Sequence, residues 1–314
     1  MNVNMVHNCD FLLNELPDKC ANLIISDPPY FRVKGEFDFE FHSFDHYLQC
    51  VEKWAIECKR ILKDNGTLFW WGSALKIAYS QIILDKYFNL LNSIVWEKQD
   101  CQQNKNKIES MRRFAPVTER LLMYENDFDI DFIGAIHDKP SNFIEIKQYL
   151  RQQKNESGIT SKDINRICGV TTVDRHCFCD SQWLMISEKH YNQLSESTGF
   201  FKKPYDQLRS EYDQLRRPFY QETLQKDVLR FSQQSSITRK LNHPTQKPEN
   251  LTSVLVNSCS RKGDLVVVPF AGSGTECAMA AKYGRIFIGF DTNEKYCTMS
   301  NKRASQFITQ PNLL

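Results

Sequence analysis

One segment near the end of the chain constrains the fold most, because it combines an apolar run, a glycine loop, a helical stretch and a second apolar run. The runs are residues 264–268 and 285–290, the loop is 269–275, and the acid Asp291 ends the series. Glycines let a backbone approach a ligand closely, and an acid at that strand end accepts hydrogen bonds from ribose hydroxyls. The order predicts a βαβ unit with a dinucleotide- or S-adenosylmethionine-type site. No lysine follows the loop, which argues against an ATP P-loop.

A second motif, Asp27-Pro28-Pro29-Tyr30, follows an apolar run at residues 22–26 that predicts a short buried strand. Prolines fix φ and lack a backbone N–H, so nearby carbonyls remain available as acceptors. A carboxylate, free carbonyls and a flat ring suit the binding of an exocyclic amine on a planar base. The same four residues alone are also typical of an ordinary turn after a strand.

The first 126 residues otherwise alternate apolar runs with helical stretches. Apolar residues recur at helical spacing over 46–62 and 74–88, and a turn is predicted at 63–66. Residues 31–41 are aromatic and polar without a clean period. They predict either a loop that orders over the active site when ligands bind or an ordinary surface loop with packed phenylalanines.

Together the two motifs resemble those of the amino-methyltransferases that modify DNA bases, in the permuted, beta-type order with DPPY first and the FxGxG cofactor loop last. The resemblance covers most of residues 1–126 and 236–314. One position departs from the family pattern, because Val268 stands where an acid commonly precedes Pro-Phe. We expect this change to weaken cofactor binding without preventing it. Further similar segments are residues 3–10, 65–72, 91–98, 116–124 and 243–248.

The resemblance implies an α/β fold, namely a doubly wound, Rossmann-like class I S-adenosylmethionine-dependent methyltransferase sheet. Its motif order would be circularly permuted, and a mainly helical target-recognition module would be inserted in it. The expected domains are residues 1–126 for the catalytic half, 127–235 for the module and 236–314 for the cofactor half.

The resemblance also implies residue roles. Asp27 and the Pro28 carbonyl would accept hydrogen bonds from the target amine beside Pro29, and Tyr30 would stack on the base, a contact of about 1–3 kcal/mol. The cofactor would be S-adenosylmethionine. Asp10 would contact its adenine, Asp291 its ribose, and the remaining expected lining residues are Lys247, His243, Phe270, Gly272, Ser273, Gly274 and Thr275.

The chemistry explains why such a pocket is needed. The lone pair of an exocyclic amine is delocalised into the ring, so hydrogen bonds to Asp27 would hold the nitrogen nearer to tetrahedral geometry and offset its developing positive charge. The base would be flipped out of duplex DNA. Asp in the first motif position is typical of adenine members, so adenine N6 is the preferred target. The alternatives are cytosine N4, RNA or protein amines, and a non-catalytic DNA-binding protein of the same fold.

Residues 127–235 predict a different kind of structure. Residues 160–170 predict a capped helix that ends at a glycine, and a second helix is predicted to begin at 171–176, as in a helix-turn-helix. Residues 204–218 predict a further helix with one apolar stripe. The expected DNA contacts are Thr171, Thr172, Arg175 and His176 in a major groove, with Arg216 and Arg217 at phosphates.

Composition adds limits on partners. The net charge is only +2, so nucleic-acid contacts must come from local patches. The 11 cysteines form no regular spacing, and the segment around His176, Cys177, Cys179 and His190 lacks zinc-site spacing, so we predict reduced thiols and no metal. No apolar run is long enough to span a membrane, which predicts a cytoplasmic protein. The expected partner is double-stranded DNA. Homodimer formation is a further candidate interaction, and the alternatives for a protein partner are a cognate restriction endonuclease or none, as in an orphan or phage enzyme.

Overall fold

The computed structural model describes residues 1–33, 36–99, 112, 114–126, 143–179, 183–221, 223–232 and 245–308. The chain divides into two compact units, each described here by itself. The first unit is Met1–Gly134 with Pro218–Leu314, and the second is Ala135–Arg217. The second unit is thus shorter than the module predicted at 127–235, because the strand Val228–Phe231 pairs within the sheet of the first unit.

Among the described residues, the first unit contains an eight-stranded sheet in the order β1-β8-β7-β2-β3-β5-β4-β6. Neighbouring strands are parallel except that β5 runs antiparallel to both β3 and β4. The C-terminal strands β7 and β8 lie between the N-terminal strands β1 and β2, in agreement with the predicted permuted order. The strands are β1 Met5–Asn8, β2 Ala21–Ser26, β3 Leu62–Ser73, β4 Asn89–Lys98, β5 Thr118–Glu125, β6 Val228–Phe231, β7 Leu265–Val268 and β8 Ile286–Asp291.

Helices cover both faces of this sheet, which is why its central strands are buried throughout. Along a strand successive side chains point to opposite faces, so Leu23 and Ile25 join one core cluster while Ile24 joins the other. The first unit's helices are α1 Phe44–Ile61, α2 Ile77–Leu84, α8 Glu249–Cys259, α9 Thr275–Lys282 and α10 Glu294–Ser305; those of the second unit are α3 Ile144–Ser157, α4 Ser161–Cys168, α5 Val173–Cys177, α6 Glu188–Thr198 and α7 Tyr205–Leu215.

The turn predicted at residues 63–66 is wrong, because these residues lie inside β3. The pairing of β2 with β3 explains the error. Ala21 faces Leu62 whereas Leu23 faces Thr67, so extra residues of β3 are accommodated in an irregular pairing. A polar, glycine-containing segment that suggests a turn from sequence is here an irregularity within a strand.

The second unit is held by one apolar cluster that includes Phe143, Trp183 and Tyr191. Its helices begin and end at local signals. Thr160 and Asp163 form a capping box at the start of α4, and Gly169 ends α4 in the left-handed conformation with φ 70°. Of the helices in the described part of the chain, none has the length and apolar character needed to cross a membrane.

Candidate active site

A cavity of about 740 Å³ opens at the carboxyl ends of four adjacent strands, β1, β8, β7 and β2. Each of three of these strands has an acidic residue at or just after its carboxyl end. These residues are Asp10 after β1, Asp291 at the end of β8 and Asp27 after β2. The glycine loop after β7 lies between them, and Phe270, Gly272 and Ser273 line the cavity with these acids. Ligands of open α/β sheets bind at this edge, so the cavity is the candidate site.

The glycine loop requires its glycines for two different reasons. The N–H of Gly272 donates a hydrogen bond to Asp291 Oδ2 at 2.9 Å, and the residue has φ 48°. Gly274 has φ 72°, and a Cβ added there would lie 2.6 Å from the Cα of Ser300 in α10. Left-handed φ and this close backbone approach both exclude larger residues. The loop is therefore fixed in one conformation by β8 and α10.

The two acids at the outer strands differ in environment. Asp291 accepts from the N–H of Gly272 and, through Oδ1, from the N–H of Asn293 at 2.8 Å, and burial raises its pKa. Asp10 is exposed and accepts from the N–H of Leu12 at 2.9 Å. Both carboxylates line the cavity and retain lone pairs for a ligand's hydroxyl or amine donors.

Aromatic rings form another wall of the cavity. Phe270 contacts Trp54 edge to face at a centroid distance of 4.9 Å and lies 6.4 Å from Phe11. Phe41 meets Trp54 edge to face at 6.3 Å. Trp54, Phe11 and Phe41 were not among the predicted site residues, because their apolar spacing indicates only core packing. A flat apolar wall beside Asp10 suits a purine ring.

At the Pro-Pro turn, both oxygens of Asp27 already hold hydrogen bonds. The Tyr30 hydroxyl donates to Oδ1 at 2.8 Å, and Lys247 Nζ donates to Oδ2 at 2.5 Å. Pro28 is buried, whereas Pro29 lines the cavity. The ring of Tyr30 is half-buried against the sheet core. The structure therefore brings the predicted catalytic motif and Lys247 together, although they are separated by 220 positions in sequence.

Lys247 is the centre of a buried charge network. Its ammonium, only 4% exposed, also lies 3.4 Å from Glu119, which pairs with Lys98 at 2.6 Å. Burial lowers the pKa of Lys247, but Asp27 and Glu119 more than offset this and raise it above its ordinary value. Burial raises the pKa of Asp27, with Lys247 opposing the shift. Lys98 and Glu119 were missed from sequence, since charges within two separate strand runs carry no sign of meeting.

The segment after the motif is tied back onto it. Asp38, only 2% exposed, accepts a hydrogen bond from the Tyr30 N–H, and its own carbonyl accepts from the Arg32 N–H at 2.8 Å. Phe31 and Phe41 are buried in the core cluster of the α1 face. The described residues of 31–41 combine packed phenylalanines with a position at the site, because Glu36, Glu40 and Phe41 line the cavity. Ordering of this segment on ligand binding stays a prediction.

Two predicted cofactor residues support the loop without lining the cavity. Thr275 is fully buried, and its hydroxyl donates to the Lys247 carbonyl at 3.2 Å and accepts from Arg303 at 2.9 Å. Gly274 packs on Ser300 as described above. Arg303, which the sequence did not single out, thus holds the loop in place. The predicted residue His243 lies outside the described residues.

In the second unit, the predicted DNA-contact residues differ in exposure. Thr171, Thr172 and Arg175 are exposed at the turn and in α5, and His176 is half-buried. Arg217 is half-buried as well. Arg216 is half-buried too; it lies over the Tyr212 ring at 5.8 Å and 3.7 Å from Asp213. Within the described residues, no group of three histidine, cysteine or acidic side chains is arranged to hold a metal ion.

Comparison with known proteins shows the family to which the chain belongs. A family model described as DNA methylase matches residues 21–302. The Type II methyltransferase M.HinfI of Haemophilus influenzae is 25% identical over 335 aligned positions, which cover 99% of this chain and 70% of that protein. The Type II methyltransferase M1.MboII of Moraxella bovis is also 25% identical, covering 96% of both chains.

Solved structures show the same fold. The M1.HpyAVI–SAM complex has a TM-score of 0.54 at 17% identity and covers 95% of this chain and 98% of its own. The cytosine-N4-specific PvuII DNA methyltransferase has a TM-score of 0.54 at 13% identity, covering 99% and 89%. The predicted doubly wound methyltransferase fold is confirmed. The chain belongs to the DNA methylase family, and the predicted S-adenosylmethionine-dependent DNA methyltransferase activity is confirmed at the level of that family.

Proposed function

We propose that this DNA methyltransferase transfers its methyl group to N6 of an adenine flipped out of duplex DNA. The observation that carries the proposal is the position of Asp27, whose carboxylate lines the same cavity as the glycine loop and Asp291. A polar acceptor at one end of a cofactor-sized cavity can hold an amine beside a methyl donor. Holding the two reactants in line lowers the free-energy barrier of methyl transfer by several kcal/mol.

The residues of the cavity have distinct proposed roles. The cofactor supplies the methyl group as a sulfonium. Asp27 accepts a hydrogen bond from the target amine with a lone pair that neither Tyr30 nor Lys247 occupies, and its negative charge stabilises the positive charge that develops on nitrogen. Lys247 keeps this carboxylate ionised and in one orientation. Tyr30 stacks on the base after its hydroxyl has released Asp27.

The cofactor contacts remain proposals. Asp10 and Asp291 would hold the adenosine across β1 and β8, with Phe270 as an apolar wall. Gly272 and Ser273 would line the part of the cavity in which the methionine portion of the cofactor extends towards Asp27. The cavity fits such a ligand, because acids, exposed backbone and an aromatic wall occur along one sheet edge.

Adenine is preferred over cytosine because Asp27 occupies the first position of the motif, as is typical of adenine members of the resembling family. Cytosine N4 is the second candidate, since the PvuII enzyme with the same fold is cytosine-N4-specific. Both bases present an exocyclic amine next to a ring nitrogen, so the cavity chemistry serves either. A second copy of the chain and a restriction partner remain predictions.

Duplex DNA contact by the second unit is also proposed. Thr171, Thr172 and Arg175 are exposed at the turn between α4 and α5, and His176 is half-buried beside them. Arg216 and Arg217 are the proposed phosphate contacts. An unchanged affinity for duplex DNA in an Arg175→Ala protein would remove Arg175 from this set.

The test uses unmethylated duplex DNA of diverse sequence, labelled S-adenosylmethionine and mass spectrometry of the digested nucleosides. We expect label in N6-methyl-2′-deoxyadenosine, and an Asp27→Asn protein should lose about 10²–10³-fold in rate because it removes the charge near the amine. Asp64→Asn, at an exposed carboxylate, is the matched control and should leave the rate unchanged. Label in N4-methylcytosine would change the base, and full activity of Asp27→Asn would refute the proposed role of the carboxylate.

A further inference from the structure

Glu276 is a buried carboxylate in the first turn of α9, directly after the glycine loop. It is 5% exposed and lines the same cavity as Asp27 and Asp291. Its Oε1 has no hydrogen-bond partner among the described residues. A buried charged oxygen without a partner is costly, so an unfilled acceptor that lines a cavity points to a ligand donor.

The other acids that line the cavity are already engaged or exposed. Asp27 accepts from Tyr30 and Lys247, and Asp291 accepts from two backbone N–H groups. Asp10, Glu36 and Glu40 are exposed to solvent. Among the buried carboxylates that line this described cavity, Glu276 is therefore distinguished by an oxygen that accepts no hydrogen bond at all.

The charges around Glu276 do not balance. Asp27 and Lys247 face it from the segments after β2 and before α8, and Arg303 faces it from α10. Arg303 is paired with Glu249 at 2.6 Å. Without that pair, the cluster of described residues contains three carboxylates and two ammonium groups. The carboxylates belong to Asp27, Glu119 and Glu276, and the ammonium groups to Lys98 and Lys247. The cluster thus has a surplus negative charge, and S-adenosylmethionine carries a net positive one.

The strand order fixes which part of the cofactor would reach Glu276. Asp10 and Asp291 belong to β1 and β8 at the edge of the sheet, whereas the Glu276 helix follows β7, next to β2 and Asp27. The reactive methyl group would have to approach the amine held by Asp27, so the amino-acid end of the cofactor would lie over β7 and β2. Val268, 1% exposed in the sheet core, supplies no charge there.

We propose that Glu276 is a cofactor-binding residue that accepts a hydrogen bond from the α-ammonium of S-adenosylmethionine; this inference rests on the proposed cofactor site. The ammonium would occupy the open acceptor Oε1 and neutralise the surplus charge of the cluster. The chain thereby places an acid after the glycine loop and an apolar residue, Val268, before it.

Binding should also depend on pH. Burial, with a further contribution from Asp27, raises the pKa of Glu276 to about 7, and Lys247 and Arg303 oppose the shift. An ammonium ligand favours the ionised carboxylate and lowers its pKa, so binding near neutral pH releases a proton. Affinity should therefore rise as pH increases through about 7, as long as the amine of the ligand stays protonated.

Calorimetric titration of the full chain tests the inference with two ligands. The probes are S-adenosylmethionine and 5′-methylthioadenosine, which lacks the amino-acid end, in two buffers of different ionisation enthalpy. We expect Glu276→Gln to bind S-adenosylmethionine about tenfold to hundredfold more weakly, to lose the proton release, and to bind methylthioadenosine with unchanged affinity. Glu294→Gln, an exposed first-turn glutamate of α10, is the matched control.

Each other outcome has a defined meaning. Equal weakening of both ligands by Glu276→Gln would show a structural role and overturn the inference, as would an unchanged affinity for S-adenosylmethionine. Glu276→Asp keeps the charge, so it should retain the proton release even if its affinity falls. Failure of the wild-type protein to bind S-adenosylmethionine would overturn the proposed function itself and this inference with it.

Discussion

Two glycines with nearly the same backbone conformation show how differently the two units are held. Gly169 ends α4 in the second unit with φ 70°, and a Cβ there would meet nothing within 4 Å. Gly274 in the cofactor loop has φ 72°, yet a Cβ there would lie 2.6 Å from Ser300. The first glycine satisfies only the local geometry of a helix end, whereas the second also satisfies a contact with a distant helix.

Charged groups show the same contrast. In α4, the Asp163 carboxylate accepts a hydrogen bond from the N–H of the N-cap residue Thr160 and pairs with Arg166, all within one helix and its cap. In the first unit, Lys247 pairs with Asp27 across 220 positions and is nearly fully buried. Local signals therefore build the second unit's helices, while the candidate site depends on long-range contacts.

The largest expected effect comes from Lys247→Met, which keeps the length of the side chain but removes its charge. Asp27, Glu119 and Glu276 would then lack their shared cation, so the first unit should lose about 3–5 kcal/mol of unfolding free energy. Without Lys247, the pKa values of these carboxyls should be higher in the folded state than in the unfolded state. Their ionisation then favours unfolding, so the loss of unfolding free energy should grow as pH rises. Urea titration followed by tryptophan fluorescence measures it.

The control for this substitution is Lys19→Met, which removes an exposed lysine paired with an exposed Asp64. Exposed ion pairs contribute little, so its unfolding curve should match the wild type. Equal destabilisation by the two substitutions would contradict the expectation that the buried lysine stabilises the fold more than the exposed one.

An intermediate effect is expected from Gly274→Ala compared with Gly169→Ala. Both introduce a Cβ at left-handed φ, worth about 1–2 kcal/mol of strain. Only Gly274→Ala adds a clash with Ser300, so it should cost about 2–4 kcal/mol and also weaken S-adenosylmethionine binding. Unfolding curves and calorimetric titration measure both. If the two proteins were equally stable, the long-range contact at Gly274 would have no energetic weight.

The smallest effect is expected from Thr160→Ala, which removes the capping box of α4. The loss of one exposed cap should cost about 1 kcal/mol and remain local. Hydrogen exchange followed by mass spectrometry should show faster exchange of the α4 amides with unchanged exchange in β7 and α9. Faster exchange throughout the chain would show that α4 is not locally stabilised.

Much of the fold could be predicted because its signals are short-range. A few consecutive residues are enough to predict the glycine loop between β7 and α9, the buried strand before Asp27 and the cap at Thr160. The turn predicted at 63–66 failed because the pairing partner of β3 decides whether such a segment bends or stays in the sheet. Pairing is a property of two strands and is absent from either one alone.

The sequence by itself determined the family resemblance, the permuted order of the motifs and the identity of the motif carrying Asp27. Only the tertiary structure decided that Lys247 pairs with Asp27, that Glu119 and Lys98 extend the network, and that Glu276 is left with an open acceptor. The reason is physical: hydrogen bonding within a helix or turn acts over a few positions, whereas burial and charge pairing depend on which distant residues the sheet brings together.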